Sequence, residues 1–239
     1  MPDGMKKNFT NKYEFHKEDG DRGEQSTCSK YWMCIAFFTF IAAIILITGI
    51  VTMTHYRPPE QKELSDDNFT IITRADWGAK PNMEQLMPLR LPVQHVVILH
   101  TATAACLTKD SCKSSVQQIQ DTHMNIKQFD DIGYSFLVGG DGNVYEGRGW
   151  DVRGAFSLNY NSRSIGVAFI GDFRNVLPTK EQMQAGQQLV QRGVQLGKVA
   201  HDYKLLGHRQ VSPTESPGDA FYNVIKTWPH WEDIQQEPN

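Results

Sequence analysis

From Tyr31 to Thr54 the chain reads YWMCIAFFTFIAAIILITGIVTMT, with no charged side chain. As a helix these roughly 24 residues would measure about 36 Å, enough to span a bilayer. The run starts too far in, is too long and lacks a small-residue cleavage site, which argues against a signal peptide. A helix of a soluble core would show a polar face, and this one shows none. Further on, the apolar period changes. Val93 to Leu99, VQHVVIL, is near-continuous and predicts a central strand buried on both faces. Ser164 to Gly171, SIGVAFIG, predicts another. In Ile132 to Trp150, IGYSFLVGGDGNVYEGRGW, Tyr134, Phe136 and Val138 alternate with Ser135 and Leu137, the period of a strand. Gly139, Gly140 and Gly142 around Asp141 offer the positive φ angles of a tight turn, and Asn143 to Glu146 returns as the second strand.

Helical patterns lie between these strands. Ser114 or Ser115 can cap a helix that places Val116, Ile119 and His123 on one face. Thr179 caps a second, with Gln182 at the capping-box position and Met183, Leu189, Val190 and Val194 as its inward stripe. Ser216 is expected to cap the last helix, with Pro217 at its first position. The interleaving predicts an α/β fold, a mixed central β-sheet flanked by helices and preceded by a single transmembrane helix. Residues 1–30, polar and mixed in charge, read as a disordered tail, 31–54 as the span, 55–69 as a stalk and 70–235 as one domain of ordinary size.

Charge refines this picture. A net charge of -3 gives no basic surplus for a nucleic-acid partner. Lys6, Lys7, Lys12, Lys17, Arg22 and Lys30 precede the span, against Arg57, Lys62 and Arg74 after it. The bias puts the N-terminus in the cytoplasm and the bulk of the chain outside, a type II topology at the plasma membrane. Cys106 and Cys112 would then lie in an oxidising space and could close a small loop. Cys28 and Cys34, at the inner edge of the span, read as free thiols or palmitoylation candidates. Of two glycosylation sequons, Asn8-Phe9-Thr10 falls inside and Asn68-Phe69-Thr70 outside, so Asn68 is the expected acceptor.

Candidate chemistry is concentrated in a few places. Arg148 stands between Gly147 and Gly149, where a backbone or a ligand can come close. Its planar fork suits a carboxylate. His100 and His208 could be zinc ligands, with His95, His123 or Glu215 as a third, although no spacing is diagnostic. Equally, the two histidines could serve as hydrogen-bonding groups of a cleft or core.

Taken together, Trp77-Gly78-Ala79, His100-Thr101-Ala102, the His123-Met124 pair, the Ile132–Trp150 stretch, Tyr160-Asn161-Ser162, SIGVAFIG, LLGHRQV, ESPG and TWPHW resemble a peptidoglycan recognition protein domain over about residues 70 to 232. That family is related to bacteriophage lysozyme-type amidases. The span and short tail resemble its insect transmembrane receptors. In the family's amidases zinc is held by three residues, whose positions here are Leu99, His208 and Ser216, with Tyr134 and Thr214 retained. Leu cannot ligate, and a neutral Ser is a poor ligand beside a thiolate. The resemblance therefore implies no cofactor and no catalysis. It places His100, Thr101, His123, Lys127, Gln128, Phe129, Tyr134, Arg148, Phe156, Asn161 and His208 along a muramyl-peptide groove. Arg148 matches the Arg that reads the extra carboxylate of meso-diaminopimelic acid, while Phe156 replaces a groove His and Gln128-Phe129 departs from the family's usual pairs. Cys106 and Cys112 match a family disulfide. The implied function is a non-catalytic innate-immune receptor for bacterial peptidoglycan fragments. The alternatives are a decoy or co-receptor that forms a homo- or hetero-dimer with a sister receptor, and a zinc N-acetylmuramoyl-L-alanine amidase, against which Leu99 and Ser216 argue.

Overall fold

The computed structural model describes residues 24–55 and 69–234, which fall in two compact units divided between Glu63 and Leu64. The tail to residue 23, the stalk from 56 and both sequon asparagines, Asn8 and Asn68, lie outside the described residues.

The first unit is helix α1, Glu24–His55. It begins seven residues before the expected span (24 against 31), because residues 24–30 contain neither Pro nor Gly to stop it. Over Tyr31–Thr48 it is long and apolar enough to cross a membrane. Its large apolar side chains there, among them Phe37, Phe38, Ile45 and Leu46, are exposed.

The second unit is built on one six-stranded sheet: β1 Ile71–Ile72, β2 Val93–His100, β3 Phe136–Val138, β4 Val144–Glu146, β5 Ser164–Phe169 and β6 Val199–Gly207. The strand order is β1-β4-β3-β5-β2-β6. Only the β3–β4 hairpin is antiparallel; β1–β4, β3–β5, β5–β2 and β2–β6 run parallel, so the sheet is mixed. As its pattern predicts, β2 is central and buried on both faces. Val96 and Ile98 point to one core with helix α4 (Lys180–Gln195) and helix α5 (Asp219–Ile225). Val97 and Leu99 point to the other, with helix α3 (Lys109–Asp121) and the short helix α2 (Arg74–Trp77). The inward stripe of α4 is also as expected, with Leu189 and Val190 buried and Met183 and Val194 packed against the core.

Several boundaries differ from the sequence expectation. Helix α3 starts at Lys109, because Thr108 and Ser111 form a reciprocal capping box well before Ser114. Its end passes into a wide π-turn, Thr122–Ile126, which carries His123. Thr179 caps α4 as predicted, yet Gln182 closes no box: its amide donates to the carbonyls of Val138 and Ile170. Helix α5 begins only at Asp219, behind Gly218 at φ 92°, so Ser216 is not its cap. Strand β6 escaped the period analysis because its middle, His201 to Lys204, is polar and sits on a sheet edge.

The hairpin turn shows why its glycines are needed. Of the three, only Gly142 has positive φ, at 78°. A Cβ on Gly139 would lie 2.9 Å from Cys112 Sγ, and one on Gly140 would lie 2.4 Å from the Cys106 carbonyl oxygen. Cys106 and Cys112 form a disulfide, and that bridge lies against the turn.

Candidate binding groove

Strict alternation from Phe136 would put Tyr134 in the α4-side core. It does not go there. The backbone is irregular at Ser135, whose carbonyl accepts from both Gly147 and Gly149 while its Oγ accepts from Gly166 N–H. Tyr134 is thereby turned to the α3 side, where its ring meets His123 at 5.1 Å between centroids. With Thr101, His123, Lys127 and α3 it lines a groove of about 220 Å³. Burial pushes its phenol up to about 12, so it is a neutral donor at physiological pH.

The histidines are fixed by backbone groups. His123, 4% exposed, accepts from Gly133 N–H through Nδ1 at 2.9 Å, which leaves the proton on Nε2. Burial, with Lys127 and Arg148 nearby, holds it at about 4 and hence uncharged. His100, at the end of β2, accepts from Phe173 N–H through Nδ1 at 3.2 Å; burial lowers it too, against the opposing pull of Asp172. His208 donates through Nε2 to the Phe156 carbonyl at 2.9 Å, leaving Nδ1 as a buried acceptor with no partner among the described residues. Burial holds it at about 4.

Other predicted residues have local duties as well. Thr101 Oγ1 accepts from Gly171 N–H and touches Thr103 Oγ1 at 2.7 Å. Gln128, at φ 56°, turns its amide back onto the Asn125 carbonyl of the π-turn. Phe129 packs on the His123 ring. Asn161 Oδ1 accepts from the N–H groups of Phe156 and Ser157, so it ties down that loop. Phe156 packs inward beside Leu99 and Tyr134, over Gly154 and Gly166, where any Cβ would collide with its ring. Arg148 donates through Nε to Ile132 O at 2.7 Å and through Nη1 to Arg153 O at 2.8 Å. Two of its five N–H donors are therefore held by the protein, and Nη2 makes no hydrogen bond among the described residues. Desolvation lowers its pKa, though far from neutral pH for a guanidinium. Gly147 serves a backbone rather than a ligand: a Cβ there would meet the Tyr134 carbonyl at 2.3 Å.

Sequence reasoning missed the wall of the groove formed by Ser115, Gln118, Ile119 and Thr122. With the helix started at Thr108, the spacing of Ser115, Ile119 and Thr122 would have shown that face.

A family model described as N-acetylmuramoyl-L-alanine amidase matches residues 89–219. Peptidoglycan-recognition protein SD of Drosophila melanogaster is 45% identical over 161 residues, 67% of this chain and 87% of that one. Peptidoglycan-recognition protein LE of the same fly is 44% identical over 176 residues, 74% of this chain and 50% of that protein. Among solved structures, the tracheal cytotoxin-bound ectodomain complex of peptidoglycan recognition proteins LCa and LCx aligns with a TM-score of 0.68 at 48% identity, covering 68% of this chain and 98% of that one. Peptidoglycan recognition protein LE in complex with tracheal cytotoxin, a monomeric diaminopimelic acid-type peptidoglycan, aligns with a TM-score of 0.69 at 44% identity, covering 70% and 98%.

The amidase metal does not fit the residues present at the corresponding positions. Leu99 is 1% exposed and packed in the core, with no donor atom. Ser216 Oγ is engaged as acceptor for the His100 N–H at 3.0 Å. Of the three, only His208 offers a good zinc donor, its Nδ1 being without a partner among the described residues, since a neutral hydroxyl such as that of Ser216 ligates zinc poorly.

Proposed function

The chain belongs to the peptidoglycan-recognition protein family, and on that premise we propose that its domain binds bacterial muropeptides without cleaving them and prefers the meso-diaminopimelic acid type. Arg148 carries this reading. It stands at the position that the family uses for the third-residue carboxylate, anchored by two carbonyls with Nη2 left over. Lysine-type stem peptides lack that carboxylate. The groove beside it offers the neutral groups of His123 and Tyr134 and the cation Lys127, and His208, outside the groove lining, adds a neutral ring held on the Phe156 carbonyl. The full set proposed for the ligand is His100, Thr101, His123, Lys127, Gln128, Phe129, Tyr134, Arg148, Phe156, Asn161 and His208. Absence of catalysis rests on Leu99 and Ser216, which leave His208 as the one ligand-capable residue of three. Helix α1 supports a single-pass receptor with this domain outside the cell.

Calorimetric titration of the 64–239 unit with both muropeptides tests the reading. With two of the five N–H donors of Arg148 already committed to the protein, the preference should be about 1.5–3 kcal/mol, that of one hydrogen bond to a charged group. Arg148→Ala should erase the preference. An equal loss for both ligands would assign Arg148 to groove structure alone. No binding of either ligand by the unmutated domain would favour the co-receptor reading, and chelator-sensitive cleavage would overturn the non-catalytic one.

A further inference from the structure

The other face of the sheet carries a second cleft, of about 290 Å³, between β6, α4 and the segment after α5. Strand β6 sends His201 and Tyr203 into it from alternate positions. Helix α4 faces them with Gln187 and Gln191, one turn apart, over an apolar floor that includes Trp228. Two features set this cleft apart from an incidental hollow. First, His230 sits at φ 63°, a conformation unfavourable for a residue with a Cβ, and its ring is stacked on Tyr203 at 4.2 Å and 24°. Its carbonyl holds it there by accepting from Leu205 N–H at 2.8 Å. Second, neither Gln187 nor Gln191 makes a side-chain hydrogen bond within the described residues, so two amides face a preformed aromatic wall with their donors and acceptors open.

Among the described residues, no Lys, Arg, Asp or Glu lines the cleft. A charged ligand would thus lose hydration without gaining a counter-charge. We propose that this cleft is a binding site for a neutral saccharide ring, separate from the groove and independent of the function proposed for it. A pyranose has an apolar C–H face suited to the electron-rich face of an aromatic ring. Its hydroxyls both donate and accept, as side-chain amides do. The cleft volume suits one or two sugar rings, at the lower end of small-molecule sites.

The test is a proton–nitrogen correlation spectrum of the labelled 64–239 unit, titrated with tetra-N-acetylchitotetraose and, separately, with mannopentaose. Drosophila peptidoglycan recognition protein SD, a solved structure of this fold, aligns over 99% of its own length, so a domain of this extent is a folding unit. Binding should shift the side-chain amides of Gln187 and Gln191 and the Trp228 indole N–H. Response to the first sugar alone identifies an N-acetylated glycan, and response to the second a mannoside. The double variant Gln187→Leu/Gln191→Leu, on a half-exposed helix face, should keep the dispersed spectrum and weaken binding roughly tenfold or more. Shifts confined to His123 and Lys127, silence with both sugars, or undiminished binding by the double variant would each overturn the proposal.

Discussion

His123 and His208 are held neutral by burial, and each leaves a pH signature. In an unfolded chain an imidazole takes up its proton near 6.5; in this fold the two do so at about 4. The unfolded state therefore binds more protons between these values. Stability is fully present above about 6.5 and is lost as the pH falls towards about 4, by roughly 1–3 kcal/mol for each residue. Urea unfolding at steps from pH 7 to 4.5 should show the decline, and His123→Gln should flatten part of it. Imidazole resonances titrating near 6.5 in the native protein would contradict this account. Leu99 and Ser216 allow a second experiment at this scale. Leu99→His with Ser216→Cys would join His208 Nδ1 in a three-ligand set, and zinc should raise the melting temperature of the double variant but of neither single one. Without zinc the double variant should be less stable than the parent, by about 2–5 kcal/mol, because a polar ring replaces a packed Leu and the His100 N–H loses its hydroxyl acceptor. A double variant indifferent to zinc would mean that the site has drifted in shape as well as in composition.

Among the elements, the β3–β4 turn and the disulfide beside it act as one piece. Gly140→Ala should cost about 1–3 kcal/mol, since its Cβ would meet backbone at Cys106 rather than a side chain that can rotate. Cys106→Ser with Cys112→Ser should cost about 2 kcal/mol, the loop entropy of so short a ring, and should ease part of the strain of Gly139→Ala, whose Cβ would meet Cys112 Sγ at 2.9 Å as well as Asp141 Oδ1 at 2.3 Å. Chemical denaturation of the single and combined variants measures this coupling; strict additivity would sever turn from bridge. The same region shows what the sequence made legible. Strands buried on both faces, β2 and β5, stood out because a run of apolar residues needs no knowledge of its neighbours. The hairpin and the Thr179 cap were legible for the same reason, being local. Tyr134 was not, because its direction depends on two amides from Gly147 and Gly149 closing on one Ser135 carbonyl. Ser216 was read as a helix cap, the commonest local duty of a serine, whereas its hydroxyl is claimed by His100, 116 residues away in sequence. The polar edge strand β6 carried no period at all. Of the predicted set, Thr101, His123, Lys127 and Tyr134 line the groove, whereas the α3 wall waited on the true start of that helix.

At the scale of the whole molecule, the open matter is which side of a membrane the domain occupies. Helix α1 is apolar all round over Tyr31–Thr48, its large side chains are exposed, and the cost of exposing them to water is relieved in a bilayer. Lys and Arg gather before the span, and on the positive-inside rule we expect the N-terminus to stay in the cytoplasm. The Cys106–Cys112 bridge agrees, because it needs an oxidising compartment to persist. The two sequons turn this into a binary measurement. Only the side that enters the secretory lumen receives glycan, and the sequon after the span ends on Thr70, which is exposed. In cells, glycosidase digestion should shorten the apparent mass of the full chain. Asn68→Gln should abolish that shift while Asn8→Gln leaves it unchanged. A glycan on Asn8 instead would invert the orientation and place the groove in the cytoplasm, away from any extracellular muropeptide. Loss of the positive flank offers a stronger form of the test: replacing Lys17, Arg22 and Lys30 together by Gln should move part of the population to Asn8 glycosylation, because within about 15 residues of the span only Arg57 and Lys62, on its far side, would then remain.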